Sequence, residues 1–488
     1  MIFFKKKVKE SDKNKKKMFI CGIGGIGTSG LALLAKDRGY IVNGSNEADN
    51  KNTEKLKNEG LNVRIGHSVK NLENSDIFVY STAIDLSTNI EAIEAKALQV
   101  PMFPRGKMLS LLMRDYFNIV VAGSHGKTTT TGLIGHMLQE LKENPNILVG
   151  GVLNSCKSNC YIGGSKYFVV ESDESDGSFL EMPVNIGVIT NVDPEHMEFY
   201  KTFENLEYYF YRFAKKILDK QGHLILCIDD KVGNDIFEKL KKSNKNIDNV
   251  ITYSAQNANA DFFVKNIRFE INGLRFDVLN NKEKISVKDV FLKNMYGEIN
   301  SLNATACCAV GWVLKYKLNR IVKTFANFAG IQKRFSVLGK LDKAILVDDY
   351  AHNPQKIFAA VNSARHYMKC HNMNGKLNIV FEPHRYTRIR DGMELFADAL
   401  RNVDYVIVLP IYASSEHPID GITQDFIVKE LKKVNQNIFP CELNSGVIVN
   451  LLKDKRLTNE GDIIVFMGAG YSSKVAHEVA EIGKLEKK

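Results

Sequence analysis

One stretch constrains this chain more than any other: Asn118 to Leu133, NIVVAGSHGKTTTTGL. An apolar run from Ile119 to Ala122 enters a loop of Gly123, Ser124, His125 and Gly126, after which Lys127 and four threonines open a helical pattern. Strand, glycine loop and helix in that order form a phosphate-binding loop, so a nucleotide is expected here. The glycines let backbone N–H groups turn inward on phosphate oxygens, and the helix N-terminus adds the positive end of its dipole. Lys127 supplies a mobile cation, and the Thr128 hydroxyl can reach magnesium. The loop is two residues shorter than G-x-x-x-x-G-K-[ST], which argues against the common GTPase and kinase loops, yet the amides, the lysine and the hydroxyl all remain. The alternative is a glycine turn before an ordinary helix.

A chain of 488 residues is too long for one core and suggests about three domains. No run approaches about 18 apolar residues, and the N-terminus lacks an apolar stretch of signal-peptide length, so neither a membrane span nor secretion is expected, and the location is read as cytoplasmic. The eight cysteines are scattered without a C-x-x-C pair, which reads as reduced thiols with no zinc spacing. The net charge of +10 suggests nucleic acid until its position is considered. Residues 1–17 hold eight lysines against Glu10 and Asp12 and so carry six of those charges. The remainder is nearly balanced, so no nucleic-acid partner is expected; the tail reads as a solvated, disordered extension, with anionic-surface binding as the alternative.

The strand at residues 18–22 runs into Gly22-Ile23-Gly24-Gly25-Ile26-Gly27 and then a helical pattern, a G-x-G-x-x-G turn. Backbone there approaches a pyrophosphate, or a helix packs closely on a strand. The second strand, Tyr40 to Asn43, ends in Gly44-Ser45-Asn46 with no acidic residue for a ribose, which disfavours NAD and leaves a nucleotide sugar compatible. In the middle of the chain, strand Tyr167 to Val170 leads into Glu171-Ser172-Asp173-Glu174-Ser175-Asp176, and Ile186 to Thr190 into Asn191-Val192-Asp193-Pro194-Glu195-His196. Ligands lie at the carboxyl ends of parallel strands, so these acids and His196 face the phosphates beside Lys127, and hard oxygen donors there imply Mg2+ held by Thr128, Glu171 and His196. Glu174 and Asp176 read as a solvated acidic loop. Residues 221–290 look strand-rich and polar. Asn300 and Asn303 share a helix face, and Gly330 to Phe335 reads as a linker with two cations.

The last third repeats the α/β rhythm, with strands ending at Asp348-Asp349-Tyr350-Ala351-His352-Asn353-Pro354, Glu382-Pro383-His384-Arg385-Tyr386-Thr387-Arg388, Pro410-Ile411-Tyr412 and Gly468-Ala469-Gly470. Paired arginines in that pattern suit a carboxylate, which a guanidinium fork grips bidentately.

Together, GIGGIGTSG, GSNEAD, VYSTAI, PRGKML, AGSHGKTTT, ESDESDGSFL, ITNVDPEHMEFY, GIQKRF, VDDYAHNP, FEPHRYTRIRD and MGAG resemble the Mur ligase family, in its order, over residues 18 to 470. The resemblance implies an α/β protein of three domains: a Rossmann-like UDP-substrate domain (18–116), a P-loop ATPase with a mostly parallel sheet (117–330) and a Rossmann-like amino-acid domain (331–488). It implies an ATP-dependent amide bond between L-alanine and the carboxylate of UDP-N-acetylmuramate, made through an acyl phosphate by a monomer or weak homodimer. The nearest alternative within the family joins a tripeptide to the same sugar acid.

By motif, Lys127, Glu171 and His196 take catalytic roles. Gly123, Ser124, His125, Gly126, Lys127, Thr128, Thr129, Asn300, Asn303, Arg334 and Asp349 fall at ATP positions. Gly22, Gly24, Gly25, Ile26, Gly27, Ser45, Ser81 and Arg105 fall at UDP-substrate positions, and Tyr350, His352, His384, Arg385 and Arg388 around the incoming amino acid. The chain departs from the family where Asn46 replaces an aspartate and where Ile299 and Asn353 replace histidines. None of these removes a phosphate or magnesium group.

Overall fold

The computed structural model describes residues 15–485, apart from 73, 82, 244, 245 and 415. The expected basic tail lies outside the described residues except for its last three, and of these Lys17 already belongs to a strand. The described chain groups into two compact units, one running to Phe262 and including Ala306–Tyr316, the other Phe263–Thr305 with the chain from Lys317 onward.

The first unit opens with β1 (Lys17–Cys21), β2 (Ile41–Asn46), β3 (Asn62–Ile65), β4 (Ile77–Tyr80) and β5 (Met102–Pro104), in the order β3-β2-β1-β4-β5. All are parallel. Their connections carry α1 (Ile26–Asp37), α2 (Lys51–Asn58), α3 (Ile90–Ala97) and α4 (Arg105–Leu112). Because successive side chains of a strand point to opposite faces, β1 feeds two cores: Met18 and Ile20 join one, Phe19 and Cys21 the other, where Phe19 stacks on Phe78 at 5.7 Å. Burial on both faces explains why β1 reads as an unbroken apolar run. Gly44, Ser45 and Asn46, expected beyond the second strand, are its last three residues.

Next come β6 (Phe117–Ala122), α5 (Lys127–Glu140), β7 (Asn146–Leu153), β8 (Ser158–Tyr161), β9 (Tyr167–Glu171), β10 (Ile186–Ile189), α6 (Met197–Tyr200), α7 (Phe203–Asp219), β11 (His223–Cys227), α8 (Lys231–Ser243) and β12 (Val250–Ser254). Their strands run β12-β11-β10-β6-β9-β7-β8, parallel except for β8. The register pairs Val121 with Glu171 and Ala122 with Ile189, so β6, β9 and β10 end side by side and deliver their loops to one edge. α7 is capped by the Thr202 hydroxyl, which accepts from Asn205 N, and buries Leu206, Phe210, Phe213 and Ile217, a helical stripe. α8 falls where a strand-rich stretch was expected; its buried Val232, Ile236 and Leu240 recur every four residues.

The second unit begins with β13 (Phe262–Glu270), β14 (Gly273–Asn280) and β15 (Ile285–Lys293), ordered β15-β14-β13, with β14 and β15 antiparallel. α9 (Ile299–Val313), whose residues up to Thr305 belong here, and α10 (Leu318–Lys323) follow. The remainder is β16 (Ser336–Leu341), β17 (Ala344–Asp349), α11 (Pro354–Cys370), β18 (Leu377–Phe381), α12 (Tyr386–Leu400), β19 (Tyr405–Val408), α13 (Gln424–Leu431), β20 (Ile438–Pro440), α14 (Ser445–Asp454), β21 (Ile463–Met467) and α15 (Ser472–Leu485). The sheet order is β16-β17-β21-β18-β19-β20, with only β16 antiparallel. Alternate residues again split between two cores: Ile379 and Val465 on one face, Val380 and Ile464 on the other.

Candidate active site

The glycine loop after β6 is forced by its neighbours. Gly123 has φ 128°, and a Cβ there would overlap the Thr190 hydroxyl, so only glycine fits. Gly126, at φ 80°, turns the chain into α5. Two of the loop amides expected to face phosphate are used by the protein itself: Ser124 N donates to Asn191 O at 2.9 Å and His125 N to Asn191 Oδ1 at 2.8 Å. That leaves the amides that open α5, where a helix leaves its first donors unmatched and open to an anion. His125 Nε2 lies 2.9 Å from Asp193 Oδ2, and Asp193 N donates to the Ser124 hydroxyl at 2.8 Å, tying this loop to the one that carries His196.

Lys127 Nζ donates to Gly123 O, to Ser124 O at 3.2 Å and to Glu174 Oε1 at 2.6 Å. Burial works against this cation, but the Glu174, Glu195 and Glu171 carboxylates outweigh it and hold its pKa above the ordinary lysine range. Glu174 is not the solvated loop acid expected from its sequence: it is 3% exposed, and its Oε2 is buried without a hydrogen-bond partner. The acidic run is shared out among different tasks. Glu174 takes Lys127, Asp173 pairs with Arg105 at 2.5 Å, and Asp176 Oδ1 accepts from Ser178 N at 2.9 Å.

Thr128 and Glu171 meet directly, the hydroxyl donating to Glu171 Oε1 at 3.0 Å while Gly150 N donates to Oε2 at 2.6 Å. His196 lies instead with Glu174 and Glu195, their ligand atoms all within 4.8 Å of one another. It sits at φ 58°, a strained conformation outside glycine, with Glu198 3.5 Å from its Nδ1. Burial opposes its charge, but Glu198, Glu174 and Glu195 raise its pKa above the ordinary value. Hydroxyl, carboxylate and imidazole donors of this kind suit a hard divalent cation, and the unpartnered Glu174 oxygen adds a further donor. Sequence reasoning put both acidic runs beside Lys127 without singling out Glu174, Glu195 or Asp193. The density of acids was visible, but which of them turn inward was not.

At the first glycine turn, Gly22 N and Ile23 N both donate to Ser45 O at 2.9 Å, and Gly24 N to Asn46 Oδ1 at 3.0 Å. Asn46 thus pins the turn, a task an aspartate could share. Gly25 and Ile26 are exposed, and a Cβ on Gly27 would come 2.9 Å from Arg105 Nη1, so this turn, Arg105 and Asp173 are contiguous. The Ser45 side chain is fully buried and donates to Glu91 Oε2 at 2.5 Å. Ser81 is half-buried, its hydroxyl accepting from Ala83 N at 3.3 Å.

The second unit gathers the other expected residues. Asn303 Nδ2 donates to Asn300 Oδ1 at 3.2 Å, and Asn300 Nδ2 to Tyr296 O at 2.7 Å; Ile299, exposed, opens α9. Asp349, expected after the strand, ends β17 and accepts from Phe335 N and Ala351 N, both at 2.8 Å. Burial, only partly offset by Arg334, pushes its pKa up to about 6. Arg334 lies over the Tyr350 ring at 5.7 Å. Asn353 caps α11, accepting from Lys356 N at 2.8 Å ahead of Pro354, so an asparagine here supplies helix-starting chemistry.

His352 and His384 are neighbours, their ring centroids 5.2 Å apart. Arg388 Nη1 donates to His384 Nδ1 at 2.7 Å; a guanidinium only donates, so His384 carries its proton on Nε2. His352 is the reverse, with Nδ1 donating to Tyr350 O at 2.7 Å and a lone pair on Nε2. Burial and then nearby cations keep both neutral: His384 is lowered to about 3 by burial, Arg388, Arg385 and Lys356, and His352 lies well below its ordinary value through burial and Lys356. One ring therefore offers a proton and the other a lone pair. Arg385, at φ 68°, opens α12 and donates its N–H to Tyr412 O at 2.9 Å. Glu382 accepts from Gly470 N, Tyr471 N and Ser472 N at 2.7 to 3.1 Å, so the Gly468-Ala469-Gly470 turn serves to start α15.

The chain is similar to known proteins over nearly its whole length. A family model described as the Mur ligase middle domain matches residues 121–311, one described as the Mur ligase family, catalytic domain, residues 18–117, and one described as the Mur ligase, glutamate ligase domain, residues 333–470. The UDP-N-acetylmuramate--L-alanine ligase of Rickettsia felis is 34% identical over 482 residues, covering 96% of this chain and 97% of the relative. That of Rickettsia prowazekii is 36% identical over 473 residues, covering 94% and 91%. Among solved structures, the UDP-N-acetylmuramate-alanine ligase of Thermotoga maritima matches with a TM-score of 0.79 and 25% identity over 97% of this chain and 100% of that one. A murein peptide ligase of Psychrobacter arcticus matches with a TM-score of 0.69 and 19% identity, over 96% of this chain and 98% of that one.

Proposed function

Because the chain belongs to the Mur ligase family, we propose that it joins L-alanine to the carboxylate of UDP-N-acetylmuramate with conversion of ATP to ADP and phosphate, a step of peptidoglycan precursor synthesis in the cytoplasm. The observation that carries the choice of substrates is the end-to-end similarity to relatives named for that reaction. No described helix is long and apolar enough to cross a membrane, in keeping with water-borne substrates.

The chain's own residues account for the chemistry. A carboxylate is a poor acyl donor, so it is first phosphorylated. Lys127, held between the Gly123 and Ser124 carbonyls and Glu174, keeps its charge and is placed to stabilise the phosphoryl group in transfer. Thr128 and Glu171, with His196, Glu174 and Glu195, fit magnesium, which when bound neutralises phosphate charge. Arg105, next to the first glycine turn, serves the sugar nucleotide. For the amino acid, Arg385, Arg388 and the Nε2–H of His384 suit the carboxylate, while the His352 lone pair suits an N–H of the amine.

Phosphate release measured with each substrate withheld in turn tests this reading. It should require UDP-N-acetylmuramate and L-alanine together. Release with ATP alone, at the same rate, would make the protein a nucleotide hydrolase or a nucleotide-gated binding module instead.

A further inference from the structure

Away from the phosphate loop, three unlike metal-binding side chains converge at the carboxyl edge of the first sheet. Cys21 ends β1, His67 follows β3, and Glu91 sits in the first turn of α3. Cys21 Sγ is 3.3 Å from Glu91 Oε2 and 3.9 Å from His67 Nδ1, and His67 Nδ1 is 2.8 Å from the same Glu91 oxygen. Cys21 and Glu91 are fully buried. A tetrahedral zinc ion with bonds of about 2.3 Å to sulfur and about 2.0 Å to nitrogen and oxygen needs ligand-to-ligand edges of roughly 3.3 to 3.6 Å. The three observed edges bracket that range.

The hydrogen bonding shows why protons alone fit this cluster poorly. Cys21 Sγ, Ser45 Oγ and His67 Nδ1 all point at Glu91 Oε2, with Ser45 at 2.5 Å. A carboxylate oxygen has about two lone-pair sites, so with His67 Nδ1 protonated three donors would converge on it, and the thiol's other acceptor, Asn89 Oδ1, is 3.8 Å away. The other oxygen is occupied: Glu91 Oε1 accepts from Ser68 N at 3.1 Å and Asn71 Nδ2 at 2.7 Å. These two bonds fix the carboxylate plane, as outer partners do in built metal sites. One cation among the three atoms would take the place of the crowded protons.

We propose that Cys21, His67 and Glu91 form a site for a borderline-soft divalent cation, of which zinc is the type, in a place separate from the magnesium donors of the ATP loop. On binding, a metal–sulfur bond forms, the Cys21 S–H bond breaks and its proton leaves to solvent; nothing is oxidised or reduced. Ser45 Oγ, 3.1 Å from His67 Nδ1, or a water completes the fourth position.

Cobalt(II) titration of the whole chain without nucleotide tests this, because a cobalt–thiolate bond gives a near-ultraviolet charge-transfer band that the cysteine-free ATP-loop donors cannot produce. One cobalt ion per chain with that band is expected, displaced by zinc. Cys21→Ser should abolish the band, and His67→Gln should weaken cobalt binding at least tenfold, with thermal unfolding of both variants confirming that they fold. Absence of the band in the unaltered chain, or its persistence in Cys21→Ser, would overturn the site, the second result placing the thiolate at another cysteine.

Discussion

Replacing Lys127 with Met keeps most of the side-chain volume and removes only the cation, so its effects can be worked from one ion pair. Turnover should fall at least about a hundredfold, the usual loss when a charge-stabilising donor is removed from a transition state. Stability should change as well, because Glu174 is left buried without its partner. Stranding a buried charge costs about 3 to 5 kcal/mol, but the carboxyl can escape by taking a proton. Starting from its ordinary value of 4.5, protonation costs about 3 kcal/mol at pH 7 and under about 1 kcal/mol at pH 5. In the variant the folded-state pKa of Glu174 lies above its unfolded value, so its contribution is retained below about pH 4.5 and lost as pH rises. At about 2 °C per kcal/mol for a unit of this size, the variant should melt about 6 °C below the parent at pH 7, with most of that gap closed at pH 5. Adding Glu174→Gln to Lys127→Met should restore most of the Tm at pH 7 and none of the turnover. A Tm deficit equal at both pH values, or turnover recovered in the double variant, would refute the reasoning.

Four further outcomes follow from the same geometry. Glu171→Gln should raise the magnesium concentration needed for half-maximal rate, since a donor beside Thr128 is lost; an unchanged magnesium titration at normal rate would remove its metal role. Arg388→Lys keeps the charge but loses the planar guanidinium whose Nη1 donates to His384, so kcat/KM for alanine should drop about tenfold or more while ATP and UDP-sugar binding hold; lost ATP affinity would place this arginine at the nucleotide. His384, with a folded-state pKa of about 3 against an ordinary 6.5, stabilises the fold above pH 6.5 and loses that contribution as pH falls toward 3; His384→Gln should flatten the decline of Tm across that window. Removing residues 1–14 should leave the catalytic constants unchanged, whereas removing 1–17 should lower Tm, because Lys17 begins β1 and its N–H donates to Asp76 at 2.7 Å.

Much of this molecule is legible in its sequence, for reasons that differ between elements. β6 and α5 could be read because a buried parallel strand is a continuous apolar run and glycine is demanded where Gly123 meets Thr190. Strand ends were harder: Ser45, Asn46, Asp348 and Asp349 are polar and look like loop, yet ladder hydrogen bonding carries β2 and β17 through them. α8 was hidden because its stripe is narrow and its other faces are charged. Within the site, ESDESD announced carboxylates without showing that Glu174 turns in to Lys127 while Asp176 caps a turn. Cys21, His67 and Glu91 are separated by 46 and 24 residues, a spacing that no metal motif covers and that only the sheet brings together.

The central claim, that this chain makes an amide between UDP-N-acetylmuramate and L-alanine, is tested most directly by mass spectrometry of the products formed from UDP-N-acetylmuramate, ATP and magnesium with a mixture of all the common amino acids and the cell-wall tripeptide. The account predicts one dominant product, the sugar nucleotide extended by a single alanine, appearing with equimolar ADP and absent for Lys127→Met. A dominant tripeptide adduct, or an adduct of a different amino acid, would contradict it.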